Sequence, residues 1–432
     1  MKKSYLFLTL FLISCVYPEK VSAAGLALRL NSAILEGQAN SGSAVTDDPL
    51  AIFTNPATTM LHSRPEIALH GLVLLPRTKF KGQTTDPVIP SHLNQVKSRN
   101  SAKKALVPAA AFVTPLNNCV ALGVVATSPF GLNFDYGKHW GGNRYIIQSG
   151  LKTINVTPTI AVKPLDVLSL GGGVQFQNSN AILSSQTSSQ NPRAQSILQQ
   201  SGTRQKAKAH GWGYGWTAGL VFQPIEKFKL GFSYRSTIHT KLKGYISFAH
   251  VPISLSNNPA LQENRVKTAI TYPQSFTLSS SYDLTPEWTA LFDIIRTNWS
   301  SLKQLVLSTP LDPQAEIIQQ KWRDSWFFSG GANYKYCDNW ILRFGVAYDQ
   351  RASRTKFRVP GIPDNSKTIV AMGATYAWNQ DLSLSLSYSH EFFQKAPINL
   401  KQANIGNAGK GDLKGNIRTQ VNFIGLQINY KI

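Results

Sequence analysis

Apolar and polar residues alternate strictly along many stretches of the chain. Leu382, Leu384, Leu386 and Tyr388 interleave with Ser383, Ser385, Ser387 and Ser389. Phe228, Leu230, Phe232 and Tyr234 interleave with Lys229, Gly231, Ser233 and Arg235. Trp340, Leu342, Phe344, Val346 and Tyr348 interleave with Ile341, Arg343, Gly345, Ala347 and Asp349. A period of two puts one set on each face of a β-strand. A soluble sandwich carries the same pattern, so turn spacing has to discriminate. Short breaks fall at 115–118, 164–166, 224–227, 285–287, 337–339 and 379–381. Each joins two strand-like runs into a hairpin. Longer polar or mixed stretches separate the pairs, at 82–103, 133–150, 184–206, 249–263, 309–316, 360–363 and 396–414. Six short turns join twelve strands, and one strand near 66–80 and another at 416–432 make fourteen. Short turns at one end, long loops at the other and an even count predict an all-β fold, a transmembrane barrel of fourteen antiparallel strands. Trp288, Trp299, Trp322, Trp326, Trp340 and Trp378 near strand ends fit interfacial girdles. Closure satisfies every backbone group in lipid, where an open edge is intolerable.

The two ends of the pattern need separate treatment. Lys2 and Lys3 precede an apolar run from Tyr5 to Tyr17, and Val21-Ser22-Ala23 offers small residues for cleavage, so residues 1–23 read as a secretory signal peptide. Leu12-Ile13-Ser14-Cys15 offers a competing reading as a lipoprotein box with Cys15 lipidated. After the signal no apolar run reaches the roughly 20 residues a membrane helix needs. Residues 24–62, rich in Gly, Ser and Asn and lacking sustained alternation, form either a flexible tail or a plug inside the lumen; residues 63–432 form the barrel.

Composition changes the picture modestly. Hydrophobic residues make up 42% of the 432, with 31 glycines and 3 methionines, which suits dispersed strand residues. Formal charge is +22; loss of Lys2, Lys3, Lys20 and Glu19 removes 3 − 1 = 2 and leaves +20. The bases are scattered, with no dense block beyond Lys103-Lys104, so nucleic acid is disfavoured and lipopolysaccharide phosphates or fatty carboxylates remain as partners. Cys119 and Cys337 read as two isolated thiols, since two cysteines make no disulfide framework. There is no G-x-S-x-G, H-E-x-x-H or Walker loop, and GNAGKGD lacks the spacing, so neither an enzyme nor a bound cofactor or metal is expected.

Several ordered stretches carry a resemblance. AGLALRLNSA and GSAVTDDPLAIFTNPA, with the triplet Asn55-Pro56-Ala57, resemble the N-terminal hatch of FadL-type transporters of long-chain fatty acids and hydrocarbons. SPFGLNFDYGKHWGGNRY resembles the family's third strand and following loop. GWGYGWTAGLVFQPIEKFKLGFSYRSTIHTKLKG resembles its central hairpin, and NWILRFGVAYDQ with GIPDNSK its later strands. The resemblance implies a fourteen-stranded barrel plugged by the hatch. It also implies a monomer in the outer membrane that passes hydrophobic molecules inward. Two departures stand out: the chain ends in Ile432 rather than an aromatic residue, and Gln175, Phe176, Gln177 and Asn178 stand where some members carry a base for the fatty carboxylate.

Candidate sites follow. Asn55-Pro56-Ala57 alone reads as a turn; the resemblance makes it a hatch element, with Asp349 within reach of the hatch asparagine. Asp349 and Arg343 share a lumen-facing parity, and a buried carboxylate needs a partner, either Arg343 or Arg351. Pro129 and Gly131 interrupt the third strand, either ending it or kinking it inward to open a gap in the wall. Phe130, Leu132, Phe134, Tyr136, Trp140 and Tyr145 make an unusually apolar loop, expected to expose a binding groove. Lys321 and Arg323 share parity with Ser325 and are expected to present bases to the lumen. The functional expectation is passive uptake, with capture at the apolar loop and release by a hatch change or a wall opening. The alternatives are a non-transporting surface barrel such as an adhesin, or a general porin.

Overall fold

A computed structural model describes residues 26–29, 31–313 and 316–432. The signal peptide expected at 1–23, including Cys15, lies outside them. Among the described residues fourteen antiparallel strands form a closed barrel. They are β1 (Glu66–Thr85), β2 (Ala105–Asn117), β3 (Val120–Thr127 and Gly131–Asp135), β4 (Gln148–Leu165), β5 (Leu168–Gln186), β6 (Arg204–Ile225) and β7 (Phe228–Arg235 and Ile238–Ala249). The second half is β8 (Asn264–Tyr272 and Ser275–Asp283), β9 (Trp288–Thr297), β10 (Ser325–Cys337), β11 (Trp340–Asp349), β12 (Lys367–Ala377), β13 (Leu382–Phe393, carried on by Ala396–Leu400) and β14 (Leu413–Lys431). Closure comes from β1 pairing with β14, in register from Glu66↔Lys431 to Thr84↔Leu413.

The alternation resolves into two faces whose polarity is the reverse of a soluble sheet's. Ser385, Ser387 and Ser389 are buried inward, while Leu386 is 58% exposed and Phe344 and Val346 also point outward. An apolar outer face suits lipid, where the backbone is paired around the whole ring. Three of the six short turns are held by side chains that mimic backbone acceptors. Asn117 Oδ1 accepts from the amides of Cys119 and Val120, and Asn379 Oδ1 from those of Asp381 and Leu382; Thr285 Oγ1 serves Glu287 and Trp288 likewise. Such Asx and ST turns are why Asn and Thr punctuate the strands. Cys119 and Cys337 are free and exposed on two separate short turns.

The N-terminal hatch fills the lumen. Its pieces are α1 (Ala33–Gly37), capped by Ser32 Oγ, and two 3-10 turns, Pro49–Phe53 and Pro56–Leu61, each with proline in the first turn where the missing N–H costs nothing. Leu50, Ile52 and Phe53 pack on wall residues Ala68, Ala111, Val113 and Val125, and much of the rest of the hatch meets the inner wall through polar contacts. Glu36 of α1 accepts from Ser387 Oγ at 2.7 Å and Ser389 Oγ at 2.9 Å. The Ala33 amide donates to Gln427 Oε1 at 2.9 Å, and Gln427 Nε2 returns to Asp48 Oδ1 at 2.9 Å. Ser43 donates to Asp293 of β9, and the Ala44 amide to Ser279 of β8. Wall and plug approach at backbone distance: a Cβ on Gly373 of β12 would lie 2.9 Å from Gly37 Cα, and one on Gly171 of β5 would overlap the backbone of Pro56 and Ala57. Glycine is required at both places because no side chain fits.

The long-loop end departs from the sequence expectation. Residues 192–201 form a helix, α2 (Pro192–Ser201), capped by Asn191 and closed by Gly202 in the left-handed region. The break expected at 309–316 is longer, running from 298 to 324 and containing a hairpin of Gln304–Leu307 with Glu316–Gln319. The break expected at 360–363 spans 350–366.

Candidate functional site

A cavity of about 140 Å³ lies beneath the long loops. Its wall is apolar, with Leu132, Leu151, Leu183, Val266, Ile270 and Leu302. Alternation explains the lining: Ala207, Ala209, Val266 and Ile270 are inward residues of β6 and β8, and loop 350–366 covers them with Val359 and Ile362. That loop is pinned by Arg358, which is wholly buried and donates to Ser353 Oγ, Asp364 O and Pro397 O at 3.1, 2.8 and 2.9 Å. Burial brings the Arg358 guanidinium down to about 10.

The charged groups at the cavity are few. Lys410 Nζ pairs with Glu316 Oε1 at 3.2 Å, and Gln205 Nε2 donates to Glu316 Oε2 at 3.1 Å. Tyr145 closes that corner, its hydroxyl donating to Gly411 O at 2.6 Å. Burial pushes the Tyr145 phenol up; Asp412 adds to the shift and Arg144 opposes it. An apolar chamber with one ion pair at its edge suits a hydrophobic or amphiphilic molecule.

The expected exposed groove over 130–145 is corrected by the structure. Leu132, Phe134, Tyr136 and Trp140 are buried, and Phe130 and Tyr145 are half-buried. The rings pack on one another: Tyr136 stacks on Trp140 at 4.3 Å, Trp140 meets Phe80 edge-on, and Phe130 lies 4.6 Å from Tyr272. The loop folds its rings inward because they lose more water there than a rim position allows. Leu132 and Tyr145 line the main cavity, and Phe130 a second pocket with Arg235 and Gln175.

Third strand β3 is interrupted where Pro129 stands. Thr127 faces Asn155 and Gly131 faces Lys152, so residues 128–130 stand opposite two residues of β4. On the other edge Ala126 is the last residue facing β2, opposite Ala110. Higher up, Gly131–Asp135 takes residues 101–103 as its neighbour, with the Asp135 amide donating to Ser101 O at 2.7 Å. Between these contacts the β2–β3 ladder is open among the described residues. Residues 26–28 back the break from inside: Leu28 N donates to Pro129 O at 2.8 Å and Gly131 N to Leu26 O at 2.9 Å.

The polar candidates are rearranged. Asp349 does not pair with Arg343 or Arg351; it lies 3.6 Å from Arg29 of the N-terminal segment and 3.8 Å from Lys367, which pairs with Glu391 at 2.8 Å. Arg343 faces inward from the middle of β11, donates to Thr375 Oγ1 at 2.6 Å and is within electrostatic reach of Asp47 and Asp48. Asp349, six residues nearer the long loops, is beyond it. Asn55 is not near Asp349 either. Its Nδ2 donates to Ala44 O at 2.8 Å and to Leu220 O of β6 at 2.9 Å, while its Oδ1 accepts from the Ala57 amide at 3.0 Å. Pro56 and Ala57 are buried against Gly171. Lys321 and Arg323 are exposed and lie on no strand; the ladder of β10 begins at Ser325, and Lys321 has φ +42°, which breaks the parity and buries Trp322 instead.

Sequence reasoning missed Arg29, Lys367, Glu391 and Arg235. Arg235 crosses from β7 to Gln175 of β5 and donates to it and to Phe53 O, with its guanidinium 3.6 Å above the Phe53 ring. The available signal was parity, since Arg235 shares a face with Gly231 and Ser233.

Comparison with known proteins places these features in a family context. A family model described as outer membrane protein transport protein (OMPP1/FadL/TodX) matches residues 14–432. The long-chain fatty acid transport protein of Escherichia coli (strain K12) is 26% identical over 426 residues, covering 91% of this chain and 93% of that protein. Outer membrane protein P1 of Haemophilus influenzae is 27% identical over 431 residues, covering 91% and 92%. Among solved structures, a FadL homologue of Pseudomonas aeruginosa superposes with a TM-score of 0.83 at 22% identity, covering 94% of this chain and 100% of that one.

Proposed function

Since the chain belongs to the outer membrane transport protein family (OMPP1/FadL/TodX), we propose that it carries long-chain fatty acids or similar hydrophobic molecules passively across the outer membrane, working as a monomer. The carrying observation is the apolar cavity under the long loops, which face the outside in such barrels. An apolar tail gains roughly 0.8 kcal/mol per buried CH₂, so the chamber draws it out of the polar surface layer. Two routes lead on from there: past the hatch, or sideways through the interrupted β3 once residues 26–28, which back it, move away. Pro129 cannot donate to a ladder, and the chain leaves β2 beyond Ala126, so the wall is weakest there. A filled lumen supports neither a general porin nor a need for ions to pass.

Uptake of a labelled long-chain fatty acid by cells lacking other uptake routes tests the reading. Cells producing the protein should accumulate label well above those without it, and purified protein should retain fatty acid on native mass spectrometry. Equal accumulation with and without the protein would overturn the transport reading.

A further inference from the structure

The outer surface of β6, β7 and β8 carries a charge pattern that uptake does not use. Lys208, His210, Lys241, Lys243, Arg265 and Lys267 are all exposed. Their alternation partners Ala207, Ala209, Leu242, Val266 and Ile270 are buried, so the six bases point away from the cavity. Register places them in a lattice. His210 faces Lys243, and Lys243 faces Lys267 on the next strand; one row further out, Lys208 faces Tyr245, which faces Arg265. Lys241 lies on the same face, two residues along β7 from Lys243. Neighbouring strands are roughly 4.8 Å apart, so these bases crowd within about 10 Å across the sheet.

No acid answers them. None of the six forms an ion pair among the described residues. From 187 to 272 the acids are Glu226, at the short-turn end, and Glu263, just beyond the end of β8. Like charges directly opposite one another destabilise a strand pair. Lys243 opposite Lys267 therefore carries a like-charge repulsion that a bound anion would relieve.

Height along the barrel identifies the anion's chemistry. Directly below the bases, toward the membrane centre, Trp212, Tyr214 and Trp216 are 56%, 64% and 52% exposed. Trp216, Tyr234 and Phe276 continue the belt across three strands at 4.8 and 4.9 Å between rings. Aromatic belts mark the level where acyl chains meet headgroups, so the bases sit at headgroup height on the long-loop side. We propose that this lattice binds the phosphates of an outer-leaflet phosphorylated glycolipid, whose acyl chains lie along the aromatic belt. A soluble anion would use the bases and ignore the belt; a neutral lipid would do the reverse.

The test uses the full-length barrel in detergent, with the triple variant K241Q/K243Q/K267Q and its counterpart K241R/K243R/K267R. The probes are purified lipid A and the same lipid with its phosphates removed, with retention read by native mass spectrometry. Each base near an anionic lipid surface contributes roughly a fivefold factor, so the glutamine variant should retain phosphorylated lipid about 100-fold more weakly. Arginine should restore retention, and dephosphorylated lipid should bind the wild type as weakly as phosphorylated lipid binds the glutamine variant. Heat-modifiable gel mobility confirms that each variant is a folded barrel. Equal retention by wild type and glutamine variant, or equal binding of the two lipids, overturns the proposal. So does complete displacement of the lipid by an equal concentration of inorganic phosphate.

Discussion

Replacing Asn55 with alanine should unseat one side of the hatch while leaving the barrel intact. Asn55 is fully buried, and its amide makes three bonds: to Ala44 O, to Leu220 O on the wall, and from the Ala57 amide. The third caps the 3-10 turn Pro56–Leu61, a role worth about 1 kcal/mol. The other two join hatch to hatch and hatch to wall, at about 1 kcal/mol each for neutral pairs. Alanine keeps the backbone and removes all three, so the local opening free energy should fall by about 3 kcal/mol, roughly a 100-fold rise in the open population. Hydrogen exchange of peptides covering residues 44–61, followed by mass spectrometry, reads that population directly. Protection there should fall about 100-fold, while β10–β12 exchange as in the wild type. Protection within threefold of wild type across 44–61 would refute the reasoning, because the three bonds would then contribute nothing to seating. Equal loss throughout the barrel would refute it differently, by showing that hatch and wall open as one unit.

Other perturbations address the remaining parts of the path. Asp349→Ala removes the wall partner of Arg29 and should raise amide hydrogen exchange across residues 26–29 and reduce fatty acid uptake severalfold at unchanged surface level; unchanged exchange and uptake would show that Arg29 needs no anchor. Gly131→Val should straighten or narrow the interruption of β3, abolishing most uptake while purified protein still binds fatty acid; unchanged uptake would rule out a lateral exit and leave passage past the hatch. Leu183→Asp places a carboxylate in the apolar cavity and should weaken fatty acid binding at least tenfold at neutral pH, with recovery for Leu183→Phe; tight binding by the aspartate variant would move the capture site elsewhere.

The barrel was legible because its evidence is local. Alternation over ten residues and the Asn, Asp and Thr turns need no knowledge of distant chain, and together they count the strands. Where the reading went astray, the local signal itself changed. Segment 320–324 keeps an alternating sequence but contains a left-handed backbone at Lys321, so its parity cannot be extended from Ser325. The rings of loop 130–145 are as apolar as supposed, yet apolarity does not distinguish a surface groove from a packed lid. The lid won because Phe80 and Tyr272, from far along the chain, offered faces to stack against.

Polar pairings in the lumen were less legible for a deeper reason. Parity says that Asp349 points inward and nothing about which of many inward groups it meets. In a barrel those groups come from every strand and from the hatch. Its partner Arg29 lies 320 residues away in sequence (349 − 29), and Lys367 enters only because β12 is the neighbour of β11. Sequence proximity favoured Arg343, but six residues along a strand are about 20 Å, beyond any ion pair. The same argument explains Asn55: a residue in a plug can face any side of the ring, and the choice of β6 is fixed by Gly171 and Gly219, the places where the wall lacks side chains and the Asn-Pro-Ala backbone can approach. A pattern of inward glycines on adjacent strands is thus the sequence mark of where a plug sits. It predicts that Gly219→Val, which would drive a side chain into the Asn55 amide, loosens residues 44–61 as Asn55→Ala does, and that combining the two adds little further exchange. Fully additive losses would show that Gly219 and Asn55 act at separate contacts.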